Sequence, residues 1–329
     1  MSSTARYKGL FALFAALVLA FGIAACGGDD DDDGDSGEET TEASATAIEE
    51  NPDNNGIALT IGSKNFTEQI ILGEIYAQGL EAAGYDISTD LNLGDEQVAL
   101  KALQTGEISG YPEYTSTALT SFFQFAPEDV PSDAQAAFEE SQDDFEAEGL
   151  VSYPPTEFSS ANAVGLLTST AEDLGVTSIS DLEGKSQDLD LYGSPECRQR
   201  IDCLVGLEEN YGLEFKSFTP VDIGLRYEVL DKGNADLSIL FTTDAQLFTS
   251  DDYVLLEDDK GVLPAGNVTF VASQEAADEA GPDFAETVEK VQGNLSLEVM
   301  QELNARVDID KKKPADVAAS YLQQAGFVK

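Results

Sequence analysis

The chain reads as an α/β protein of two lobes, and three observations carry that expectation. From residue 57 onward, apolar runs with strand character alternate with helix-length runs whose apolar residues recur with a period of roughly 3.6. A second alternating set opens near residue 162, and a strand-like run, NVTFVAS at 267–273, then returns ahead of further helices. A first lobe interrupted by a second is the economical topology, with crossings near 161 and 265 and lobes over 57–161 plus 265–329 and over 162–264.

In chain order, IALTIGS (57–63) is a strand and FTEQIILGEIYAQGLEAA (66–83) a helix stopped by Gly84. YDISTDLNL (85–93) is the next strand, DEQVALKALQTG (95–106) a helix with Val98, Leu100 and Leu103 for burial, and EISGY (107–111) a strand again. This βαβα order predicts a mainly parallel sheet with helices on both faces. SDAQAAFEESQDDFEAEG (132–149) is a solvent-washed helix, and NAVGLLTS (162–169) opens the second set, which runs through SISDLEG, SQDLDLYGS, EFKSFTP, GLRYEVLDKG, ADLSILF and YVLLED. After the return strand, helices are expected over 284–292, 296–306 and 314–325. Two such lobes face each other across a cleft at the carboxyl ends of their strands, where ligands of open α/β sheets bind.

Composition narrows the function. With 42% hydrophobic residues the chain can bury substantial cores, and 63 acids against 17 bases give a net charge of −46, which repels nucleic acid. The acidity extends over the folded part, so it fits a salt-tolerant or acid-rich proteome as well as a cationic partner. Histidine is absent, which removes Ser/His/Asp and Cys/His catalysis. No glycine-rich nucleotide loop occurs, and no cofactor or metal is expected. Residues 1–25 carry Arg6 and Lys8 ahead of an apolar run over 10–25. As a helix that run would span roughly 24 Å, short of a bilayer's hydrocarbon core, so an export signal is the expected role. It closes on GIAAC, which resembles the lipobox of bacterial lipoproteins and implies lipidation of Cys26; the other reading is an ordinary signal with a coincidental cysteine. The acidic, aromatic-free stretch that follows makes 26–56 a lipidated cysteine and flexible tether. In an exported protein, Cys197 and Cys203 of PECRQRIDC are expected to pair as a disulfide.

Lys64, Asn65, Thr67 and Glu68 stand between a strand and a helix in IGSKNFTEQ. Asn65 with Glu68 has the spacing of a capping box, and exposed helix N–H groups beside Lys64 would suit a ligand carboxylate. Asn65 is open to both roles; Lys64 is the binding candidate, because a cap has no use for a cation at a helix N-terminus.

IGSKNFTEQIILGEIYAQGLEAAGY, YPEYTSTAL, ECRQRIDCLVGLEENYGLEFK, TTDAQL and LEDDKGVLP, in that order, resemble the substrate-binding proteins of glycine betaine/carnitine/choline ABC transporters. The resemblance runs from about residue 60 to the C-terminus. It implies a two-lobed type II periplasmic-binding-protein fold on the outer face of the cell membrane, closing on a small zwitterionic or cationic solute and delivering it to ABC permease and ATPase subunits. It further implies Tyr114 as a wall of an aromatic cage for a quaternary ammonium, Thr117 and Arg200 as carboxylate contacts, and Thr243 and Asp244 as a strand-end ligand pair. The cage departs from the family pattern at Asn162, Phe241 and Gly266, which leaves two aromatic walls and assigns amide contacts to Asn162 and Asn267. Structural roles compete at several of these positions: a strand-end packing tyrosine at 114, loop asparagines at 162 and 267, a surface ion pair at Arg200, and a helix cap at Asp244. Glu113 is either a supporting carboxylate or exposed, and Tyr211 and Tyr227 are packing residues. A binding protein retuned to another polar or amino-acid-like solute, an enzyme on the same architecture, and a sensory lipoprotein are the competing readings.

Overall fold

The computed structural model describes residues 47–329. The export signal expected over 1–25, the lipidation site at Cys26 and the tether as far as residue 46 lie outside the described residues. The last part of the expected tether is not free chain. Ile48 N donates to Phe327 O at 2.8 Å and Asn51 N to Ala83 O at 3.0 Å, and Asn54 Nδ2 donates to the same Ala83 carbonyl at 2.8 Å. Ile48, the one large aliphatic side chain of that polar stretch, packs on the main core and supplies the burial its neighbours lack.

Two sheets organise the described residues. The first contains β1 (Ala58–Gly62), β2 (Asp86–Asp90), β3 (Gly110–Tyr114), β4 (Leu150–Ser152) and β5 (Ser159–Ser160). The second contains β6 (Asn162–Leu167), β7 (Asp190–Gly193), β8 (Ser217–Pro220), β9 (Leu237–Phe241) and β10 (Tyr253–Leu255), after which β11 (Gly266–Ser273) returns to the first. The orders are β2-β1-β3-β11-β4, with β5 on β11, and β10-β6-β9-β7-β8. Neither sheet is mainly parallel as expected. β1 pairs with β2 and β3 in parallel, but β11 runs antiparallel to β3, β4 and β5. The parallel part comes from helical crossovers; β11 arrives from the second sheet instead and enters from the other end.

Helices cover both faces. They are α1 (Thr67–Ala82), α2 (Glu96–Gln104), α3 (Ala134–Ala147), α4 (Thr168–Leu174), α5 (Leu204–Glu209), α6 (Arg226–Asp231), α7 (Ala245–Thr249), α8 (Gln274–Ala280), α9 (Pro282–Gln292), α10 (Leu297–Asp308) and α11 (Pro314–Gln324), with a helical turn at Thr115–Thr117 continuing into Ala118–Phe122. The α1 side chains Ile71, Leu72, Ile75, Tyr76 and Leu80 are fully buried with Phe270 and Phe284 in the principal core. A separate core, including Val164, Leu191, Leu237 and Ile239, lies under the second sheet. Asp95 starts α2 by accepting from Gln97 N at 3.1 Å and Val98 N at 3.0 Å. That phase buries Leu100 and Leu103 but leaves Val98, expected inside, 45% exposed. The strand expected at 107–111 lies three residues later, because the Glu107 and Ile108 N–H groups still bond back to Ala102 O. A Cβ at Gly110 would meet Phe270 Cε1 at 2.5 Å, so the close pairing of β3 with β11 requires glycine there. The helix expected to be solvent-washed, α3, buries Phe138 and Phe145 on one face. Among the described residues no helix is long and apolar enough to cross a membrane.

Candidate functional site

The ends of β1, β3, β7 and β9 open on one cleft. From the first sheet come Lys64, Asn65 and Phe66 after β1, Glu96 from α2, and Tyr114 and Thr117 at the end of β3. From the second come Asn162 on β6, the disulfide segment with Glu196, Arg200 and Asp202, and Phe241 at the end of β9. The empty volume is about 660 Å3, part of it open to solvent.

Three aromatic rings converge here. Phe66 stacks on Tyr114 with centroids 6.3 Å apart and meets Phe241 of the opposite sheet at 5.2 Å. Phe66 is the wall that sequence reasoning missed. The helix N-cap is Phe66 itself, with no side-chain cap bond, so the expected Asn65–Glu68 capping box does not form. Asn65 is exposed on the cleft and its N–H donates to Gly94 O at 2.9 Å. Glu68 is buried instead, accepting from Tyr114 Oη at 2.7 Å and Asn304 Nδ2 at 2.9 Å. Burial raises its pKa above the ordinary value despite those donors. Thr67 Oγ1 donates to Asp308 at 2.6 Å, and neither residue lines the cleft.

Both cleft cations are already engaged. Lys64 pairs with Glu113, which is fully buried, and its Nζ lies 4.7 Å from the Tyr114 ring centroid. Arg200 Nε donates to Asp202 Oδ1 at 2.8 Å, while a second nitrogen lies 3.3 Å from Glu96 of α2 and a third donates to Thr117 Oγ1 at 3.5 Å. Arg200 is therefore not the alternative surface ion pair; its side chain is only 16% exposed. Burial works against its charge, but Asp202 and Glu96 outweigh it and hold its pKa above the ordinary value. Burial likewise opposes ionisation of Asp202, and Arg200 overcomes it and lowers that pKa. For Glu96 burial prevails over Arg200 and raises the pKa. Thr120 Oγ1 donates to Asp202 at 3.1 Å, and Asn162 Nδ2 donates to Asp202 O at 3.0 Å, so one carboxylate residue ties the two sheets together at the cleft.

The structure thus brings together Lys64, Asn65, Tyr114, Thr117, Asn162, Arg200 and Phe241. It places Thr243, Asp244 and Asn267 elsewhere. Thr243 is buried against Ser160 at 3.1 Å, with its carbonyl accepting from Asn304. Asp244 binds Arg226 at 2.8 Å and Phe241 N at 2.9 Å, and Arg226 in turn lies 4.0 Å from the Phe241 ring centroid, so this group braces the aromatic wall from behind. It makes no side-chain cap on α7. Asn267 Nδ2 donates to Thr156 O at 2.9 Å and Phe158 O at 3.1 Å, holding a loop. An aromatic residue at position 266 has no room, because even a Cβ there would meet Ser116 N at 2.6 Å. Cys197 and Cys203 are joined by a disulfide. Tyr211 and Tyr227 are buried and donate to Asp258 and Asp244. Among the described residues no cluster of three or more His, Cys, Asp or Glu could hold a metal ion.

A family model described as the substrate binding domain of ABC-type glycine betaine transport system matches residues 57–324. The chain is 35% identical over 279 residues to a glycine-betaine-binding protein of Pseudomonas aeruginosa, covering 81% of this chain and 87% of that one. It is 30% identical over 283 residues to an ergothioneine transport permease/ergothioneine binding protein of Helicobacter pylori, covering 85% of this chain and 49% of that longer protein. Among solved structures it is similar to a glycine betaine/carnitine/choline ABC transporter structure, with a TM-score of 0.65, 26% identity, and coverage of 82% of this chain and 98% of that one. The two-lobed periplasmic-binding fold expected from the sequence is the fold of this chain.

Proposed function

Because the chain belongs to the family of substrate-binding domains of ABC-type glycine betaine transport systems, we propose that it captures a quaternary ammonium solute between Phe66, Tyr114 and Phe241, on the outer membrane face to which a lipid on Cys26 holds it. Its family makes it the solute-binding component of an ABC importer for glycine betaine-like solutes, working with permease subunits, and not an enzyme. The lobes that close on the solute are 57–161 with 265–329, and 162–264. Lys64, Asn65, Thr117, Asn162 and Arg200 frame the remainder of the ligand, while Asp244 acts on it through the Phe241 wall it braces and Thr243 and Asn267 hold the surrounding chain.

The observation that carries this reading is the convergence of three rings from two sheets in a cleft lined by more carboxylates than cations. A quaternary ammonium makes no hydrogen bonds of its own, and aromatic faces with a negative surround are what attract it. A second reading, ergothioneine as the solute, is favoured by the similarity to the Helicobacter pylori protein. Calorimetry and thermal shift with glycine betaine, choline, carnitine and ergothioneine test both. At least one quaternary ammonium should raise the melting temperature in a saturable way; no response to any of them sinks the assignment. Cys26→Ala should move the protein from the membrane fraction to the soluble one, and an unchanged distribution removes the lipid anchor.

A further inference from the structure

We infer that Glu68 is a positioning residue tying the aromatic walls of the two sheets together, and that capture of a quaternary ammonium drives the proton off its carboxyl group, so affinity rises with pH. The inference rests on the quaternary ammonium reading above and adds a linked proton to it. Glu68 lies on α1, 4% exposed, and does not line the cleft itself. Its two oxygens serve the two sides of the cleft. One accepts from Tyr114 Oη at 2.7 Å, the hydroxyl of the wall that ends β3. The other accepts from Asn304 Nδ2 at 2.9 Å, and the same nitrogen donates at 3.1 Å to Thr243 O, just past the Phe241 wall that ends β9. A single buried carboxyl group thus stands behind both rings.

What Glu68 lacks is a cation. Glu113, the buried carboxylate on the other side of Tyr114 in the chain, is paired with Lys64. Glu68 makes no ion pair among the described residues, and its partners are a phenol, a hydroxyl and an amide. The charged group facing it from the loop after β9 is Asp244, a like charge that Arg226 of α6 already binds. From α10, beside Asn304, comes another acid, Asp308, held by Thr67. Burial raises the Glu68 pKa above the ordinary 4.5 against the bonds from Tyr114, Thr243 and Asn304, and Asp244 adds to the rise. A quaternary ammonium on the Tyr114 ring supplies the missing positive charge. It favours the ionised carboxyl, so Glu68 passes its proton to the buffer as the solute binds. By linkage, affinity climbs as pH rises toward the raised value of the free protein and levels off above it.

Calorimetry with glycine betaine and choline from pH ~5 to pH ~8 at fixed salt, in buffers of differing ionisation enthalpy, reads both affinity and proton release. Neither solute changes its charge over that interval, so a change in binding belongs to the protein. Wild-type affinity should rise on the order of tenfold, the scale of one charge brought within about 10 Å of a carboxylate in a partly desolvated site, and protons should be released on binding. Glu96 and Asp308 are also raised by burial, so the share due to Glu68 is the share that Glu68→Gln removes. Glu68→Gln, with folding checked by its melting curve, should bind like wild type at the acid end, more weakly at the alkaline end, and release fewer protons. Asn304→Leu takes one donor from the ionised carboxyl and should move the rise to higher pH. A purely structural Glu68 would shift overall affinity and leave the shape of these profiles alone. Wild-type affinity that is flat or falls with pH, or a Glu68→Gln profile parallel to wild type, overturns the inference and leaves the quaternary ammonium reading standing. An Asn304→Leu profile that does not move overturns the link through Asn304. Binding of neither solute at any pH overturns the reading itself.

Discussion

Tyr114 serves the cleft with its ring and the protein interior with its hydroxyl, and the two roles separate by substitution. Tyr114→Phe keeps the ring face but leaves the buried Glu68 carboxylate without one of its donors. It should cost about 1–3 kcal/mol of stability in denaturant melts and leave affinity within about twofold. Tyr114→Ala also removes the wall and should weaken a quaternary ammonium roughly tenfold by calorimetry; equal affinities for the two variants would remove the ring from the site. Asp202 supplies a pH dependence. Its folded pKa is below the ordinary 3.8, so the stability it contributes is present above that value and lost as pH falls through the lower folded one. Glu68 and Glu96 act in the opposite sense, because their folded values lie above the ordinary 4.5 and their contribution is lost as pH rises. Asp202→Asn should therefore lower the melting temperature at neutral pH and flatten its fall below pH ~4; an acid limb as steep as wild type would contradict the assignment. The residues hardest to read from sequence were those whose partners are remote in the chain. Phe66 sits before a helix, where an apolar side chain ordinarily packs, and Glu68 has the spacing of a cap although its partners are Tyr114 and Asn304. Thr243 and Asp244 lie in the loop after β9 and Asn267 at the start of β11, and periodicity along a strand does not say which side of an adjoining loop or strand end faces the cleft.

At the scale of elements, the disulfide segment shows how a short loop can position a charged group. Cys197 and Cys203 are six residues apart, each 1% exposed, and Arg200 lies midway between them. The bridge removes unfolded-state freedom worth ~2 kcal/mol for so short a loop. Replacing both cysteines by serine should cost about that much stability and also loosen Arg200 from Glu96, lowering ligand affinity. A stability loss with unaltered affinity would show that helix packing alone places Arg200. Alternation of apolar runs made most strands and the long helices legible, including the return strand and the helices at 282–292, 297–308 and 314–324. Strand direction was not, since periodicity is the same for parallel and antiparallel neighbours. Nor was the packing of 47–56 on the body, which depends on Ile48 and on asparagine side chains bonding to a distant helix end.

At the scale of the whole molecule the dominant fact is the net charge of −46. Much of it cannot be relieved by pairing, because 17 basic residues face 63 acidic ones. Self-repulsion of this kind destabilises the compact state, and raising ionic strength from ~0.1 M to ~1 M shortens the Debye length from about 10 Å to about 3 Å, below the spacing of most surface charges. The melting temperature should therefore rise by several degrees over that interval, equally in sodium and potassium chloride, and a flat or falling curve would contradict the repulsion argument. Ligand capture should respond in the other direction. The same screening weakens the attraction of an acidic cleft for a cationic solute, so choline affinity should fall over the interval while the free protein becomes more stable. A zwitterion with no net charge should show little salt dependence. Choline and glycine betaine titrated across that salt series in parallel with melting curves thus resolve two separate roles of the acidity, one acting on the fold and one on the ligand.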